Sequence, residues 1–159
     1  MDITFKITDY SDIEILMQLI REFHEIEHLL FDEGKIRSLL EKIMRENSLG
    51  RIWLIQDSGD AIAQSTAPTV IGYIVLTFGY SLEFLGRDAF IDELYIREGH
   101  RGQGIGTRAL QFVQQVCPSL GIQALHLEVD RKNTDAQRLY HKVGFEDHDR
   151  YLMTKWIAT

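Results

Sequence analysis

The spacing of apolar and polar residues changes along the chain, and each spacing predicts a different element. Residues 3–7 alternate apolar and polar side chains, as a half-buried strand does. Two later stretches place apolar residues three or four apart, which is typical of amphipathic helices. The first helix carries Ile13, Leu16, Ile20, Phe23 and Ile26, and the second, from about Asp32 to Glu46, carries Ile36, Leu39, Leu40 and Ile43. Ser11 and Glu14 stand at capping-box spacing where the first helix would begin.

Further strands and helices are predicted along the rest of the chain. We expect strands at 51–56, 69–78, 88–96 and 122–129, helices at 104–116 and 134–143, final strands near 145–148 and 150–157, and a polar hairpin loop at 58–68. The order is then βααβββαβαββ. A helix between strands 88–96 and 122–129 requires them to pair in parallel, whereas the earlier strands resemble antiparallel hairpins. The sequence therefore predicts an α/β fold with a mixed sheet.

Composition narrows the class of protein. A chain of 159 residues without repeats or linkers predicts one domain, 1–159. No apolar run reaches the roughly 18 residues of a membrane span, and no signal peptide opens the chain. The single Cys117 excludes an intrachain disulfide, so we expect a cytoplasmic location. Cys117 precedes Pro118 at the end of a predicted helix, and we expect it to be a small core residue. A net charge of −7 argues against binding to nucleic acid and favours a cationic substrate.

A glycine-rich turn joins strand 88–96 to helix 104–116. Residues 97–107 read Arg-Glu-Gly-His-Arg-Gly-Gln-Gly-Ile-Gly-Thr. The glycines let an anion approach backbone amides at a helix N-terminus, and Arg101 adds a positive charge. The pattern favours a pyrophosphate site, and a glycine-rich turn without a ligand is the alternative. Neither the Walker ending nor the dinucleotide fingerprint is present.

Two motifs together resemble one family. The spacing Arg101-x-x-Gly104-x-Gly106 resembles the acetyl-CoA loop of the GNAT superfamily of N-acetyltransferases. A second stretch resembles that family's pattern of strand, asparagine and helix. It comprises Asn133, Ala136, Leu139, Tyr140, Lys142, Gly144 and Phe145. The resemblance covers about residues 70–157, and the first 60 residues match only in the order of their elements.

The resemblance implies a fold, a co-substrate and roles for residues. The fold would be a single GNAT-like domain whose mixed, mostly antiparallel sheet contains a splayed parallel strand pair, flanked by about four helices. The co-substrate would be acetyl-CoA, without a metal. The groups that would hold it are the backbone of Leu94, Tyr95 and Ile96, the loop of Arg101, Gly102, Gln103, Gly104, Ile105, Gly106 and Thr107, and Asn133. Tyr140 would protonate the departing thiolate.

A general base and an amine pocket are harder to assign. Asp92 and Glu93 are neighbours on one strand, so strict alternation points them to opposite faces. Glu93 is the first candidate base and Glu128 the second, with carboxylates paired to Arg or Lys as the structural alternative. The segment 78–95 resembles the diamine and thialysine branch of the superfamily. Tyr80 and Glu83 would then line an amine pocket with Asp92.

One further motif points elsewhere. His24-Glu25-x-x-His28 matches a zinc-binding pattern on a predicted helix, but no third ligand is apparent. We interpret it as a solvated helix end with Ile26 packed inward, and expect no metal.

The sequence as a whole predicts a GNAT-type enzyme that moves an acetyl group directly from acetyl-CoA to a primary amine. The expected substrate is a small cationic amine, such as a polyamine or a lysine analogue, with neither nucleic acid nor membrane as partner. The resemblance is also compatible with a homodimer. The alternatives are an acetyltransferase for protein lysines or N-termini, and a non-catalytic acyl-CoA-binding module.

Overall fold

The computed structural model describes residues 1–59 and 67–158. Part of the predicted loop 58–68 therefore lies outside the described residues. The chain forms two compact units, residues 1–128 and 129–159, and each is described by itself. The first holds a five-stranded sheet with three α-helices, and the second holds one further α-helix.

The sheet of the first unit is mixed, as predicted. Its strands are β1 (Ile3–Ile7), β2 (Gly50–Asp57), β3 (Thr69–Ser81), β4 (Gly86–Ile96) and β5 (Ala124–His126), in the order β1-β2-β3-β4-β5. The first four pair antiparallel, and β4 pairs with β5 in parallel. The helices are α1 (Ile13–Ile26), α2 (Glu33–Arg45) and α3 (Ile105–Val116), and α4 (Thr134–Lys142) belongs to the second unit. The described residues therefore contain four α-helices, as expected.

Strand alternation produces two packed faces. One face packs against α1 and α2 in a single hydrophobic cluster, whose buried members include Leu16, Leu19, Ile20, Leu40, Ile52, Leu54, Tyr73, Val75 and Tyr95. Trp53 alternates with Ile52 and Leu54, so it points to the opposite face. There Phe112 of α3 stacks on Phe5, with ring centroids 4.4 Å apart, and meets Trp53 edge-on. The face covered by α1 is the one that carries the site described below.

Several local predictions were wrong. The turn before α1 is a 3₁₀ helix capped by Asp9, whose carboxylate accepts from Ser11 N–H while Asp12 accepts from Asp9 N–H. Asp9 therefore takes the capping role assigned to Ser11, because the chain makes this extra turn before the α-helix begins. Ile26 and Leu39 are 48% and 59% exposed rather than packed inward.

The final strands were also wrong. The described residues of 145–158 form no strand, and strand 122–129 shortens to β5. Alternating side chains alone do not make a strand, because the backbone also needs a partner for its hydrogen bonds.

Cys117 directly follows α3 and is buried, which confirms the prediction of a small core residue. Burial raises the pKa of its thiol.

Gly72 sets how closely β3 approaches the end of β4. It lies opposite Ile96, and an added Cβ would overlap the backbone carbonyl of Tyr95. Gly72→Ala should therefore push the two strands apart and lower the melting temperature by about 5 °C, as overpacking does in a chain of this size. Gly34→Ala is the control, because its Cβ would meet only the Asp32 carboxylate oxygen, at 3.8 Å. Equal melting temperatures in the two variants would contradict this account of Gly72.

Candidate functional site

The pairing of β4 is interrupted in its middle. Glu93 lies opposite Val75 and Ile91 lies opposite Leu76, so Asp92 is an extra residue that forms a β-bulge. On its other edge, β4 pairs with β5 only from Asp88 to Phe90. Among the described residues, no strand pairs with the remaining part of that edge, from 91 to 96. The expected parallel pairing of these two strands is thus confirmed.

Glu93 is a largely buried carboxylate with two partners. Tyr73 of β3 donates its hydroxyl to Oε1 at 2.8 Å, and Oε2 lies 2.6 Å from Nε2 of His24 on α1. The side chains of His24 and Glu93 are only 12% and 15% exposed. Burial raises the pKa of Glu93, while Tyr73 and His24 oppose that rise. A carboxylate in this setting is suited to take up a proton.

His24 is fixed by contacts on both of its ring nitrogens. Nδ1 lies 2.7 Å from the carbonyl oxygen of Leu30, just beyond the end of α1. The rings of Phe23 and Phe31 stand roughly edge-on to the imidazole. The zinc interpretation loses its basis here, because α1 ends at Ile26 and His28 adopts a left-handed φ of 54°. The two histidines therefore do not share one helix face.

Asp92 contributes a second carboxylate at the bulge. No hydrogen bond to its side chain occurs among residues 1–59 and 67–158. Although the residue is solvent-exposed, nearby protein atoms desolvate the carboxyl group and raise its pKa, and His24 opposes this rise. The prediction that Asp92 and Glu93 point to opposite faces relied on strict alternation, which a bulge breaks. Both carboxylates in fact interact with His24.

A second network holds the end of β4 in place. Glu22, on the last turns of α1, accepts hydrogen bonds from the Tyr95 hydroxyl and from two guanidinium nitrogens of Arg97, at 2.9–3.1 Å. Arg97 also donates to the carbonyl oxygen of Val70. Burial alone would raise the pKa of Glu22, but the bonds from Arg97 and Tyr95 lower it below its ordinary value. The carboxylate therefore stays charged and ties α1 to the sheet.

The glycine-rich turn has the predicted form of strand, turn and helix. Arg101 folds back, donating from Nε to the Ile96 carbonyl oxygen at 2.9 Å. Gly104 is the N-cap of α3 with a left-handed φ of 79°, which glycine adopts without strain. The first backbone bond of α3 runs from Arg108 N–H to the Gly104 carbonyl, so the preceding amides have no helical acceptor. Residues 101–107 are thus gathered around one helix N-terminus, and their binding of a pyrophosphate stays a prediction.

Three residues predicted to line the amine pocket or to act as base lie away from Glu93 or lack a described link to it. Tyr80 is 87% exposed and five positions beyond Val75 on β3, which corresponds to roughly 16 Å along a strand. Glu83 follows it in the β3–β4 turn, and Glu128 is exposed beyond the end of β5. The described part of the chain shows no hydrogen bond from any of them to Glu93. Their roles stay predictions.

The second unit carries two predicted site residues. Asn133 caps α4, its side-chain oxygen accepting from Ala136 N–H at 3.1 Å, which leaves its amide donors for other partners. The ring of Tyr140 meets Phe145 edge-on. Burial raises the pKa of the Tyr140 phenol, so the group keeps its proton to higher pH.

Comparison with known proteins decides the family. The model of the acetyltransferase (GNAT) family matches residues 15–145. This chain belongs to that family. A thialysine N-epsilon-acetyltransferase of Bos taurus is 32% identical over 141 residues, which are 86% of this chain and 80% of the relative.

Solved structures agree with this acetyltransferase in fold. An integron cassette protein from the mobile metagenome of Cole Harbour Salt Marsh superposes with a TM-score of 0.80 at 30% identity, over 98% of this chain and 91% of that one. A protein of Clostridium acetobutylicum, described as a predicted acetyltransferase with acetyl-CoA, gives 0.75 at 18% identity, over 97% and 96% of the two chains. At that identity, the second likeness shows the fold alone.

The described residues of the acetyltransferase offer neither a metal-binding cluster nor a membrane-spanning helix. Within residues 1–59 and 67–158, no three or more His, Cys, Asp or Glu side chains are grouped so that they could hold a metal ion. Over the same described residues, every helix is too short or too polar to cross a bilayer.

Sequence reasoning missed two members of this site in the acetyltransferase. His24 was considered only as a zinc ligand, and Tyr73 only as part of an apolar strand. The one available signal was the histidine itself on the apolar side of α1, four residues after the buried Ile20. Its contact with Glu93 spans 69 positions of sequence, which no local pattern reveals.

The desolvated carboxylate of Asp92 should cost the acetyltransferase stability. Folding raises the pKa of Asp92, so the folded state holds the Asp92 proton more tightly than the unfolded state does. As the pH rises from the unfolded pKa, about 3.9, through the folded pKa, this proton is lost and the free energy of unfolding falls. Asp92→Asn avoids this loss, so its melting temperature should match wild type near pH 3 and exceed it at pH 7, measured by calorimetry.

Asp57→Asn is the matched control for that measurement. The amides of Gly59 and Asp2 bond the Asp57 carboxylate and lower its pKa, so this variant should fall below wild type as the pH rises. A melting temperature for Asp92→Asn that stays at or below wild type across the whole range would contradict the desolvation of Asp92.

Proposed function

We propose that this protein transfers the acetyl group of acetyl-CoA directly to the primary amine of a small cationic molecule, such as a lysine analogue or a polyamine. The observation that carries the proposal is a pair of carboxylates, Asp92 and Glu93, at the bulge of β4, directly before the glycine-rich turn. Two comparisons support the proposal. The chain matches the acetyltransferase family model, and a thialysine N-epsilon-acetyltransferase is similar to it over most of both chains.

The two carboxylates have different roles toward the amine: Glu93 accepts its proton and Asp92 attracts its positive charge. A lysine-like amine has a pKa near about 10, so it arrives protonated at neutral pH and must lose a proton before it attacks. Burial raises the pKa of Glu93, which suits its carboxylate to take up the amine's proton, and Tyr73 and His24 hold its two oxygens in place. Asp92 has no such partner among the described residues, and its charge attracts an ammonium group.

The residues around the glycine-rich turn fit the pyrophosphate of acetyl-CoA. An added Cβ on Gly102 or Gly104 would meet no described atom within 4 Å, so the backbone there is open to a ligand. The amides that begin α3 and the charge of Arg101 would hold the anion. Backbone groups of Leu94 to Ile96 would hold pantetheine and polarise the thioester carbonyl along the unpaired edge of β4, and Asn133 would bond the pantetheine arm.

Tyr140 would complete the reaction. The amine lone pair attacks the thioester carbon, the C–N bond forms, and the C–S bond breaks. The departing thiolate then takes the phenolic proton, which the raised pKa of Tyr140 keeps in place at neutral pH. We also propose a cytoplasmic location, because Cys117 has no second cysteine for an intrachain disulfide.

A thiol-release assay across an amine panel tests the proposed substrate class. The panel holds thialysine, lysine, polyamines, aminoglycosides, a neutral primary amine and a lysine peptide. We expect the small cationic amines to give the highest kcat/KM. Asp92→Asn should raise KM for them about tenfold, with kcat near wild type, and leave KM for the neutral amine unchanged. Preference for the peptide would overturn the small-molecule proposal, and acetyl-CoA binding without turnover of any amine would indicate a non-catalytic module.

Tyr140→Phe tests the acid. The change removes only the hydroxyl, so the fold should survive and acetyl-CoA should bind as in wild type. Loss of a general acid should lower kcat about 10²-fold. Steady-state kinetics at pH 7 with calorimetry of acetyl-CoA binding measures both quantities. A variant with wild-type kcat would return Tyr140 to a purely structural role beside Phe145.

A further inference from the structure

The contact between His24 and Glu93 requires a proton of its own. Nδ1 of His24 faces the Leu30 carbonyl oxygen, which only accepts hydrogen bonds, so Nδ1 carries a hydrogen. Nε2 lies 2.6 Å from Glu93 Oε2. A neutral imidazole with its hydrogen on Nδ1 presents only a lone pair at Nε2, and an ionised carboxylate presents only lone pairs as well. A separation of 2.6 Å therefore means that one proton lies between the two atoms.

This proton defines two states of the pair. In the loaded state, the proton is shared between His24 and Glu93, and their separation is the one in the structure. In the unloaded state, a neutral imidazole faces a carboxylate with no hydrogen between them, so the pair is ready to accept one. Tyr73 keeps the other oxygen of Glu93 in place in both states by donating its hydroxyl to it.

We propose that His24 and Glu93 act as one proton acceptor in acetyl transfer, with Glu93 receiving the amine's proton and His24 as the positioning residue that shares it. The inference rests on the proposed function. The nitrogen of R–NH₃⁺ loses two protons in forming the amide. One passes to the unloaded pair and then to solvent, and the other is balanced by the proton that the CoA sulfur receives.

The charged and titratable groups around the pair can be named from each neighbouring element, and the proton gained or lost is the one shared by His24 and Glu93. From β4, Asp92 faces both members, and from β3 the Tyr73 hydroxyl faces Glu93. From α1, Glu22 is neutralised by Arg97. From the segment after α1, the Leu30 carbonyl and the Phe31 ring face His24, and the Arg21 guanidinium lies over the Phe31 ring, 4.6 Å from its centroid. Burial raises the pKa of Glu93, and that of Tyr73 is raised too, by burial and by Glu93, so the phenol keeps its hydrogen.

Two sites hold a proton more tightly than one. The proton affinity of the pair is the sum of binding at Glu93 and binding at Nε2 of His24, so removing His24 can only lower it when a neutral donor replaces the ring. The variant His24→Gln places an amide nitrogen near the former Nε2. This amide donates to Glu93 but takes up no proton itself, so the proton is lost at lower pH.

Two measurements test the pair. In kcat/KM against pH, the acidic limb marks loss of the proton that blocks the base, so His24→Gln should move it to lower pH by about one unit, with KM for acetyl-CoA unchanged. In substrate-free protein with ¹⁵N-labelled histidine, Nδ1 of His24 should carry a hydrogen and Nε2 should show a hydrogen shared with Glu93, and Glu93→Gln should abolish the shared hydrogen. The His24 signals are assigned by their loss in His24→Gln.

His126→Gln is the matched control. His126 also contacts a buried carboxylate through Nε2, at 3.0 Å from Asp88, with side chains 15% and 13% exposed. It lies at the paired end of β4, so its replacement should leave the acidic limb in place. An unmoved limb in His24→Gln, a limb that moves equally in His126→Gln, or a His24 Nε2 signal that is the same in Glu93→Gln as in wild type would each overturn the pair. If His24→Gln does not fold, the spectra of Glu93→Gln carry the test, and His24→Asn, which keeps a donor for the Leu30 carbonyl, serves to assign the His24 signals.

The two proposals fail separately. A protein that acetylates no amine would overturn the proposed function, while the substrate-free spectra would still show whether His24 and Glu93 share their proton.

Discussion

A carboxylate buried in the face of a sheet is costly unless other groups satisfy it, and Glu93 imposes that cost on its neighbours. Tyr73 reaches it from β3 and His24 from α1, so strand pairing and helix packing must both be correct before the charge is tolerated. Helix α1 meets this requirement through its apolar face. Leu16 and Ile20 bury against the sheet, and His24, one turn after Ile20, is carried to Glu93 by the same helical repeat.

The last turns of α1 contact β4 at alternate positions. His24 contacts Glu93, while Glu22 bonds both Tyr95 and Arg97. Glu93 and Tyr95 of β4 and Arg97, which directly follows the strand, lie two apart, as side chains on one face of an extended chain do. The apolar residues of α1 pack on the sheet, and its polar residues Glu22 and His24 contact the part of the chain that leads to the glycine-rich turn. The contacts of His24 and Glu22 therefore hold both the proton-accepting carboxylate and the end of β4, from which the chain leads to α3.

Local patterns indicated the fold and the turn, while distant contacts form the centre of the site. The mixed sheet, the parallel crossover and the turn around Gly104 follow from spacing within short windows, and the sequence predicted them. The bulge at Asp92 could not be predicted, because it depends on the register of β4 against β3. His24 was missed for a similar reason, since its partner lies on another element. The final strands were wrong because a strand needs a neighbour for its backbone hydrogen bonds, and a local sequence pattern does not supply one.

Cys117 has a consequence for an enzyme of this family. Each acetyl transfer releases the free thiol of CoA, and the disulfide of that thiol can form mixed disulfides with proteins. Such exchange requires a protein thiolate that is accessible to the disulfide. Cys117 is buried at the end of α3, and its raised pKa keeps the sulfur protonated at neutral pH. The chain's single cysteine is therefore shielded from the oxidised form of its own product.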